Sequence, residues 1–420
     1  MTTAICSSCI EDAHLREALK GHFEELECTE CGEVSDEAVT VDSLTAVIEP
    51  VLREHFHQGE QEKHFGENDS EWWEQAGEPL NEVIQEVTGQ YFSFEDELIG
   101  AVCDLDDAWI PDGDEPIWDT TANYVSRRLR PYEFAANWAT AIEDVKRSRR
   151  FYSTAARQLF DRLFSGVQHM LAVDNGEKLP VSIEMPVGSE LFRARVCSSV
   201  ETMKTIVSDA AKHVGPPPGE LAKAGRMNPE GVVVLYAAYD ADTARAELRP
   251  AIGNDLAVIK LITTRPLRVL DLERLERVTA PSTLSYFQED FEEQVTRHAF
   301  LRRLHRLISQ PVVPGRESDY LITQMMAEYL AYVHEEQFDG IKFSSAQKSG
   351  GTNVVLLSRF ADDTSSIDDR YGVTYVADNL CFSKTTGVQY MHVPVTYVER
   401  DDGGSIVYFE DKTYYDDDME

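Results

Sequence analysis

The stretch from Gly225 to Asp240 reads GRMNPEGVVVLYAAYD and passes from a polar turn into an apolar strand. A connecting turn needs only its glycine and proline residues, so Arg226 and Asn228 exceed what chain reversal requires. The run VVVLYAAY predicts a buried strand, and it falls far short of a membrane span. We therefore expect Arg226 and Asn228 to have a function beyond the turn.

Short strands and helices alternate around this stretch. Strands are predicted at 190–196, 232–238, 256–263, 267–271, 339–343 and 352–358, and helices at 241–248, 284–309 and 318–336. The strands are short and show no long strand–helix–strand repeat, which predicts a mixed α and β domain of modest size. Further β-like segments follow at 373–382, 388–398 and 405–411.

The region before residue 174 has a mainly helical pattern. Apolar residues recur at helical spacing in 43–56, 79–92, 132–145 and 153–171. Ser43 and Ser153 are the predicted N-caps of the first and last of these helices. Residues 174–190 contain an Asp-Asn-Gly turn and two prolines, which predicts a linker to the mixed domain.

The net charge of −36 is concentrated at the two ends of the chain. Residues 1–125 carry 32 Asp and Glu against 4 Lys and Arg, and residues 399–420 carry 9 against 2. Residues 126–398 are nearly neutral, with 34 acidic and 33 basic residues. Because phosphate attraction needs a net basic face, this distribution argues against a general nucleic-acid-binding protein. Acidic ends favour solubility, and they also fit a surface that meets a basic partner.

A cluster of basic residues follows the loop 109–119. Its members are Arg127, Arg128, Arg130, Lys146, Arg147, Arg149 and Arg150. Two interpretations stay open: a nucleic-acid-binding surface, or a solvated helix face that pairs with the acidic half of the region. The nearby His55, His57 and His64 lack a cysteine or spaced carboxylate partner, and we expect them at the surface.

Four cysteines at the start of the chain have the spacing of a zinc ribbon. Cys6 and Cys9 form one C-x-x-C pair, and Cys28 and Cys31 form a second pair 18 residues later. A redox dithiol or disulfides are the alternatives. The N-terminus lacks the basic start and apolar stretch of a signal peptide, so we expect a cytoplasmic protein, in which disulfides are rare. Structural zinc is therefore the favoured interpretation.

Polar residues occur at unusual places on the predicted strands of the mixed domain. Arg193 and Arg195 lie two positions apart in the apolar strand LFRARV and share one face, where a buried arginine needs an anionic partner. Glu247 lies on the short helix that follows the strand VVVLYAAYD. Ser344 and Ser345 come where a strand breaks into the glycine loop of GIKFSSAQKSGGTNVVLL, residues 340–357.

This order of motifs resembles the RES domain family, named for its arginine, glutamate and serine. The resemblance rests on the strand arginine, GR-x-NP-x-G, the strand with a tyrosine, A-E-x-R-P, and DGI-x-(aromatic)-x-S with GG-x-N. It covers residues 188–360. It implies an ADP-ribosyltransferase-like α+β fold and an activity that cleaves NAD+. The cysteine-bearing start and the helical region are similar to an N-terminal domain, described as HEPN-related, that accompanies some RES domains.

The resemblance also implies the site residues. The catalytic arginine, glutamate and serine fall on Arg193, Glu247 and Ser345. The substrate-binding residues fall on Arg226 and Asn228 of the turn, on the strand tyrosine Tyr236, and on Arg195.

Each of these residues has a chemical role that fits cleavage of the nicotinamide–ribose bond. A fixed carboxylate such as Glu247 stabilises the ribosyl cation that forms as the bond breaks. An arginine fork such as Arg193 grips a pyrophosphate, a tyrosine covers the nicotinamide ring, and Ser345 orients an oxygen. The structural alternatives are an arginine paired with a buried carboxylate, an exposed helix charge and a turn serine.

Hydrolysis of NAD+ is the leading prediction, and transfer of ADP-ribose to a protein is the alternative. Transferases that modify arginine carry a Glu-x-Glu pair, whereas this chain reads Arg245-Ala246-Glu247. An RNA-cleaving HEPN-type activity is a third hypothesis. It is weakened because the nearest match to the HEPN motif Arg-x4–6-His, from Arg162 to His169, has the apolar Leu163 where a polar residue normally follows the arginine.

We therefore predict four regions and a defined set of ligands. The regions are a zinc-ribbon-like segment at 1–42, a helical HEPN-like domain at 43–173, the RES domain at 188–360, and a β-rich extension with an acidic tail at 361–420. Zinc is the predicted structural metal and NAD+ the substrate. A toxin or defence role regulated by the N-terminal region, an antitoxin or other regulatory partner, and an oligomer are further expectations, with no membrane association.

Overall fold

The computed structural model describes most of the chain. The described residues are 2–65, 71–105, 116–149, 152–279, 284–309, 320–358, 366–388, 396–399 and 405–408. Arg150, most of the predicted segment 388–398 and the acidic tail lie outside them. No helix among the described residues is long and apolar enough to cross a membrane.

The chain divides into two compact units, each built from three segments. The first unit comprises 1–185, 222–232 and 267–344, and the second comprises 186–221, 233–266 and 345–420. The predicted division into four consecutive regions stays a prediction.

The helices of the described residues are numbered α1 to α13 and are divided between the two units. They are α1 (Ala13–Leu19), α2 (Val41–His55), α3 (Leu80–Thr88), α4 (Glu95–Asp104), α5 (Tyr132–Arg147), α6 (Thr154–Phe164), α7 (Val200–Ser208), α8 (Ala210–Val214), α9 (Ala241–Ala246), α10 (Leu272–Leu275), α11 (Phe291–Ser309), α12 (Leu321–Tyr332) and α13 (Ile367–Tyr371). Every helix that the apolar spacing predicts is present. Together with the strands they confirm the mixed α and β composition.

The strands are shorter than most of the helices. They are β1 (Ala4–Cys6), β2 (Glu24–Glu27), β3 (Val34–Thr40), β4 (Phe56–Gln58), β5 (Gln61–Phe65), β6 (Glu71–Gln75), β7 (Glu78–Pro79), β8 (Asn123–Ser126), β9 (Leu171–Asp174), β10 (Glu177–Pro180), β11 (Ser182–Met185), β12 (Glu190–Cys197), β13 (Leu235–Ala238), β14 (Asp255–Thr263), β15 (Leu267–Asp271), β16 (Gly340–Ser344), β17 (Thr352–Leu356), β18 (Val373–Tyr375), β19 (Cys381–Lys384), β20 (Thr396–Glu399) and β21 (Ser405–Tyr408). The six strands predicted in the mixed domain are all present.

The first unit begins with a small sheet and a helical core. Strands β1, β3 and β2 form an antiparallel sheet in that order. Helix α2 buries Leu44, Ile48 and Leu52 in the core beside it. The N-cap of α2 is Thr40, whose hydroxyl accepts the N–H of Ser43, so the predicted cap at Ser43 is wrong by three residues. The cap matters because a helix start must satisfy its free N–H groups.

Two sheets interrupt the region that the sequence predicts as helical. Strands β4, β8 and β7 form one sheet, and β5 and β6 form a hairpin. The apolar spacing misses them because they are two to five residues long and mostly polar.

Helices α5, α6, α11 and α12 pack around aromatic side chains within the first unit. Trp138 and Phe300 lie 5.8 Å apart between ring centres. The predicted cap Ser153 is confirmed, because its hydroxyl accepts the N–H of Ala156. The buried Arg297 donates to the carbonyl oxygens of Leu163 and Ser165, which closes the carboxyl end of α6.

The predicted linker 174–190 contains three strands. Strands β9 and β10 pair through a turn in which Asn175 and Gly176 have φ angles of 49° and 82°. Two consecutive positive φ angles are typical of the type I′ turn, which favours Asn-Gly. Strand β11 then pairs antiparallel with β15, and β15 pairs parallel with β16. Most of this segment is therefore part of the first unit's strand structure.

The second unit is built on an antiparallel sheet. Its order is β17, β13, β12 and β14, and β18 and β19 both pair with β14. Strand β12 pairs with β14 over its whole length, from Glu190 to Cys197. It pairs with β13 at one position only, Phe192 opposite Ala238. Phe192, Ala238 and Asn353 are thus in register across three neighbouring strands.

Candidate active site

The predicted catalytic glutamate lies at the carboxyl end of α9. The helix begins because the Asp240 carboxylate accepts the Thr243 N–H at 2.8 Å and its hydroxyl at 2.5 Å. It is only six residues long, and Glu247 follows directly as its C-cap. The side chain of Glu247 is therefore exposed at the end of a short, capped helix rather than buried along it.

Two donors hold one oxygen of the Glu247 carboxylate. The Ser345 hydroxyl donates to Oε1 at 2.5 Å, and Asn353 Nδ2 donates to the same atom at 2.7 Å. Asn353 is itself buried, with 5 % of its surface exposed, at one end of the register row described above. No described residue makes a hydrogen bond or ion pair with Oε2. The carboxylate is thus fixed through one oxygen and available through the other.

The segment 345–351, here called the serine loop, closes on itself around Ser345. The Ser345 hydroxyl accepts the N–H groups of Gln347 and Lys348, both at 3.1 Å. The Ser345 N–H donates to the carbonyl of Gly351 at 2.8 Å. Because the hydroxyl oxygen accepts two N–H groups, its own proton is directed to Glu247.

The serine loop is also joined to the start of α9. Lys348 Nζ lies 2.8 Å from Asp240 Oδ1. Burial would raise the pKa of Asp240, but the hydrogen bond from Lys348 and those from Thr243 lower it to about 2. A Cβ at Gly351 would lie 2.5 Å from Thr243 Oγ1, so only glycine allows this close approach of loop and helix.

The predicted arginine Arg193 lies on β12 without a carboxylate partner among the described residues. Its Nε donates to the carbonyl of Val214 at 2.9 Å, and its Nη1 donates to the carbonyl of Tyr236 at 2.6 Å. Burial lowers the pKa of Arg193 to about 10, so the guanidinium stays charged at neutral pH. A partly buried cation held only by neutral carbonyls favours an anionic ligand.

Arg195 extends from the same strand toward the same helix. Its Nη1 donates to the carbonyl of His213, the neighbour of Val214 on α8. The two arginines therefore lie on one face of β12, as predicted. Arg195 is exposed, whereas Arg193 is partly covered. No hydrogen bond or ion pair between described residues links Arg193 to Glu247, although both belong to the second unit.

The two predicted residues of the polar turn lie in the first unit. The Asn228 amide is buried and donates to the carbonyl oxygens of Lys223, Pro229 and Val232, so it holds the turn together. The carbonyl of Arg226 accepts the hydroxyl of Thr323 at 2.6 Å.

Three further residues lie at the site although the sequence analysis assigns them no role: Asn353, Lys348 and Asp240. Asn353 is the asparagine of the GG-x-N motif, and this motif could have identified it as a site residue. Lys348 and Asp240 carry no separate signal, because their pairing depends on the serine loop folding back onto α9.

The four predicted metal ligands come together at the start of the chain. The sulfur atoms of Cys6, Cys9, Cys28 and Cys31 all lie within 4.8 Å of one another. The sulfurs of Cys6 and Cys31 are 3.8 Å apart, which is about the edge of a tetrahedron with metal–sulfur bonds of about 2.3 Å. This cluster can hold a metal ion.

Backbone N–H groups surround one of these sulfurs. The Cys6 N–H lies 3.3 Å from Cys28 Sγ. Burial would raise the pKa of Cys28, but hydrogen bonds from the backbone of Cys31, Cys6 and Glu30 lower it to about 7. A thiolate stabilised in this way is the form that binds a metal.

Comparison with known families identifies the second half of the chain. The RES domain model matches residues 191–378, a span that includes all seven predicted site residues outside the cysteine cluster. This part of the chain therefore matches the RES domain family, which is linked to NAD+. No curated protein and no solved structure matched the chain. The likeness of the N-terminal region to HEPN domains therefore stays a prediction.

Proposed function

We propose that the protein hydrolyses NAD+ to nicotinamide and ADP-ribose. The bond between the ribose C1′ and the pyridinium nitrogen breaks, and its electron pair neutralises the ring nitrogen. Water then adds to C1′ and releases a proton. The observation that carries the proposal is the Glu247 carboxylate, fixed through Oε1 by Ser345 and Asn353 and open at Oε2, within a RES domain.

In this proposal Glu247 acts on the ribose. Positive charge develops on the sugar as nicotinamide leaves, and a carboxylate fixed beforehand stabilises it without reorganising. The two donors on Oε1 keep the side chain in place, so that Oε2 can face the ribose or accept one of its hydroxyl protons. Ser345 would then be a positioning residue rather than a nucleophile, because its proton already points to Glu247.

Arg193 is the proposed contact for the pyrophosphate. Its charge has no carboxylate partner in the described part of the chain, and a diphosphate would supply the missing negative charge. We further propose that Tyr236 covers the nicotinamide ring and that Arg195 contributes a second anion contact.

Water is the proposed acceptor because of the residue two positions before Glu247. Arg245 occupies the place of the first carboxylate in the Glu-x-Glu pair. Arg245 Nη1 donates to Asp242 Oδ1 at 2.6 Å, and Arg245 Nε donates to the Ser383 hydroxyl oxygen at 3.2 Å. Its side chain is thus already engaged, and no carboxylate stands there to orient a protein acceptor.

Zinc is the metal that the cysteine cluster fits best. Four thiol ligands, a tetrahedral sulfur separation and backbone N–H donors to one sulfur match a closed structural site. A bound ion would supply folding energy to the first sheet. We propose that the N-terminal region regulates the hydrolase, since its cluster and acidic surface have no part in the proposed chemistry.

The decisive experiment is incubation of the purified protein with NAD+, with nicotinamide and ADP-ribose measured together. We expect both products in equal amounts. Glu247→Gln should abolish the reaction, whereas Glu201→Gln, the same change at an exposed residue of α7, should leave it intact. If NAD+ is consumed only after a protein acceptor is added, the protein is a transferase instead.

A further inference from the structure

An exposed hairpin in the first unit has no place in the proposed chemistry. Strands β5 and β6 pair from Gln61 opposite Gln75 to Phe65 opposite Glu71. Neither strand pairs with any other described strand. We call residues 60–65 and 71–76 the tryptophan arm. A lone two-stranded hairpin is only marginally stable in water, so an arm of this kind needs a fixed base or a partner.

The base of the tryptophan arm is fixed by two glycines. A Cβ at Gly59 would lie 1.8 Å from the carbonyl oxygen of Ala76. Gly77 has a φ of +100°, and its Cβ would lie 2.3 Å from the carbonyl oxygen of Tyr124. The Gln75 side chain also bonds to the backbone of Gly59 and Asn123. The chain is thus built to hold the arm at this point.

The tryptophan arm exposes two large aromatic rings. Trp73 is 64 % exposed and Trp72 is 47 % exposed. Neighbouring residues of a strand point to opposite faces, so the two rings lie on opposite faces of the arm. Single exposed apolar residues are common, but tryptophan is enriched among the residues that dominate binding at protein interfaces. His64 stacks on Trp72 with ring centres 5.5 Å apart, which helps to hold that ring in place.

Carboxylates surround Trp72 on one face of the arm. Strand alternation places Trp72 on the same face as His64, Glu62 and Glu74. Glu62 is directly opposite Glu74, and their side chains are 62 % and 66 % exposed. Like charges in opposite positions destabilise a hairpin. The Nε2 atom of His64 lies 4.0 Å from the Glu62 carboxylate and 3.8 Å from the Glu74 carboxylate. A cation that approaches from solvent would offset the repulsion between the two carboxylates, and it would lie within reach of the Trp72 ring.

Charge limits what can cover this face. The chain carries a net charge of −36, so a second copy would be repelled, as would its own acidic end at 409–420. Nucleic acids and anionic membranes are repelled for the same reason. An aromatic ring flanked by carboxylates instead attracts a guanidinium or ammonium group through both charge and the cation–π interaction.

We propose that the tryptophan arm is a docking site for an arginine- or lysine-bearing segment of a partner protein. The cation binds the exposed carboxylates of Glu62 and Glu74 beside the Trp72 ring. The proposal is independent of NAD+ hydrolysis, since it concerns binding by a different part of the chain.

The test uses the full-length protein and a fluorescently labelled Gly-Arg repeat peptide of twelve residues, followed by anisotropy at physiological salt. We expect Trp72→Ala and the double change Glu62→Gln/Glu74→Gln each to weaken binding by roughly fivefold or more. The matched control is Glu24→Gln/Glu25→Gln, which removes the same charge from exposed residues of β2 and should change binding by less than about twofold.

Circular dichroism and NAD+ hydrolysis would show that the variants are folded. If both double variants weaken binding equally, the peptide responds only to net charge and the proposal is wrong. It is equally wrong if Trp72→Ala binds like the unchanged protein, or if the unchanged protein does not bind the peptide. A labelled RNA of equal length that binds better than the peptide would also overturn it.

Discussion

The hydroxyl oxygen of Ser345 lies 2.5 Å from Oε1 of Glu247, although the two residues are 98 positions apart in the chain. The proton of this bond belongs to the serine, because the same oxygen accepts two backbone N–H groups. Ser345 in the serine loop and Glu247 at the end of α9 are thus joined directly, and the serine hydroxyl holds the carboxylate.

Glu247→Gln should bind NAD+ nearly normally and hydrolyse it at least about 100-fold more slowly. The amide keeps the shape of the side chain but lacks the charge that stabilises the ribosyl cation. Calorimetry with NAD+ and a product assay separate the two effects. A variant with full activity would show that Glu247 is not the catalytic carboxylate.

Removing either donor on Glu247 should lower kcat more than it raises KM. We expect about a tenfold loss of kcat for Ser345→Ala and for Asn353→Ala, with a larger loss in the double variant. Asn353→Asp offers a stricter test, because a second carboxylate beside Glu247 raises its pKa. The acidic limb of the pH–rate profile should then move to higher pH. An unchanged profile with a lower melting temperature would indicate a purely structural asparagine.

Arg193→Ala should weaken NAD+ binding by roughly 10-fold or more and reduce turnover as well, since a pyrophosphate contact exists before the bond breaks. Arg193→Lys keeps the charge but loses the planar fork, and should recover only part of the affinity. Lys204→Ala, which removes an exposed positive charge of the same unit, serves as the control. Equal affinity of the Arg193 and Lys204 variants would contradict the assignment.

The freshly reduced protein should contain about one zinc per chain, and Cys28→Ser should lose it. The first sheet should then become more open to proteolysis, while the RES domain keeps its NAD+ binding. Cys381→Ser, outside the cluster, should retain the metal. Metal analysis that finds no zinc in the unchanged protein would remove this claim.

Asp240→Asn should lower the melting temperature at neutral pH, and the difference from the unchanged protein should shrink in acid. The folded-state pKa of Asp240 is about 2, below its ordinary value of 3.8, so its stabilising effect is complete above pH 3.8 and is lost as the pH falls toward 2. Melting curves at pH 7, 4 and 2.5 measure the difference. Lys348→Ala should reproduce part of the effect, and a difference that grows in acid would contradict the argument.

Strands and helices with strong patterns were predictable from the sequence. Strand β15 was predicted at its observed limits, 267–271, because an apolar run and flanking polar residues define it. The polar strands β5 and β6 carry no such pattern. The hairpin at Asn175-Gly176 carried a usable signal, since that dipeptide favours a two-residue turn.

The site was predictable only as far as its motifs reach. Glu247 and Ser345 could be named from the motif order, but the donor Asn353 required the register of β13 and β17. Similarly, the partnership of Lys348 with Asp240 depends on how the serine loop folds. Sequence spacing predicts neither the Asn353–Glu247 contact nor the Lys348–Asp240 contact, because each joins residues more than 100 positions apart.

The serine loop is fastened to α9 at both ends of the helix, by Ser345 at Glu247 and by Lys348 at Asp240. In the loop, Ser345 and Lys348 are three residues apart. Their partners Glu247 and Asp240, at the two ends of α9, are seven residues apart. The two anchors therefore fix the number of residues between Ser345 and Lys348, but not which residues these are. Random mutagenesis should recover active proteins with substitutions at Ala346 or Gln347, whereas inserting or deleting one residue between Ser345 and Lys348 should detach one anchor and abolish the proposed NAD+ hydrolysis.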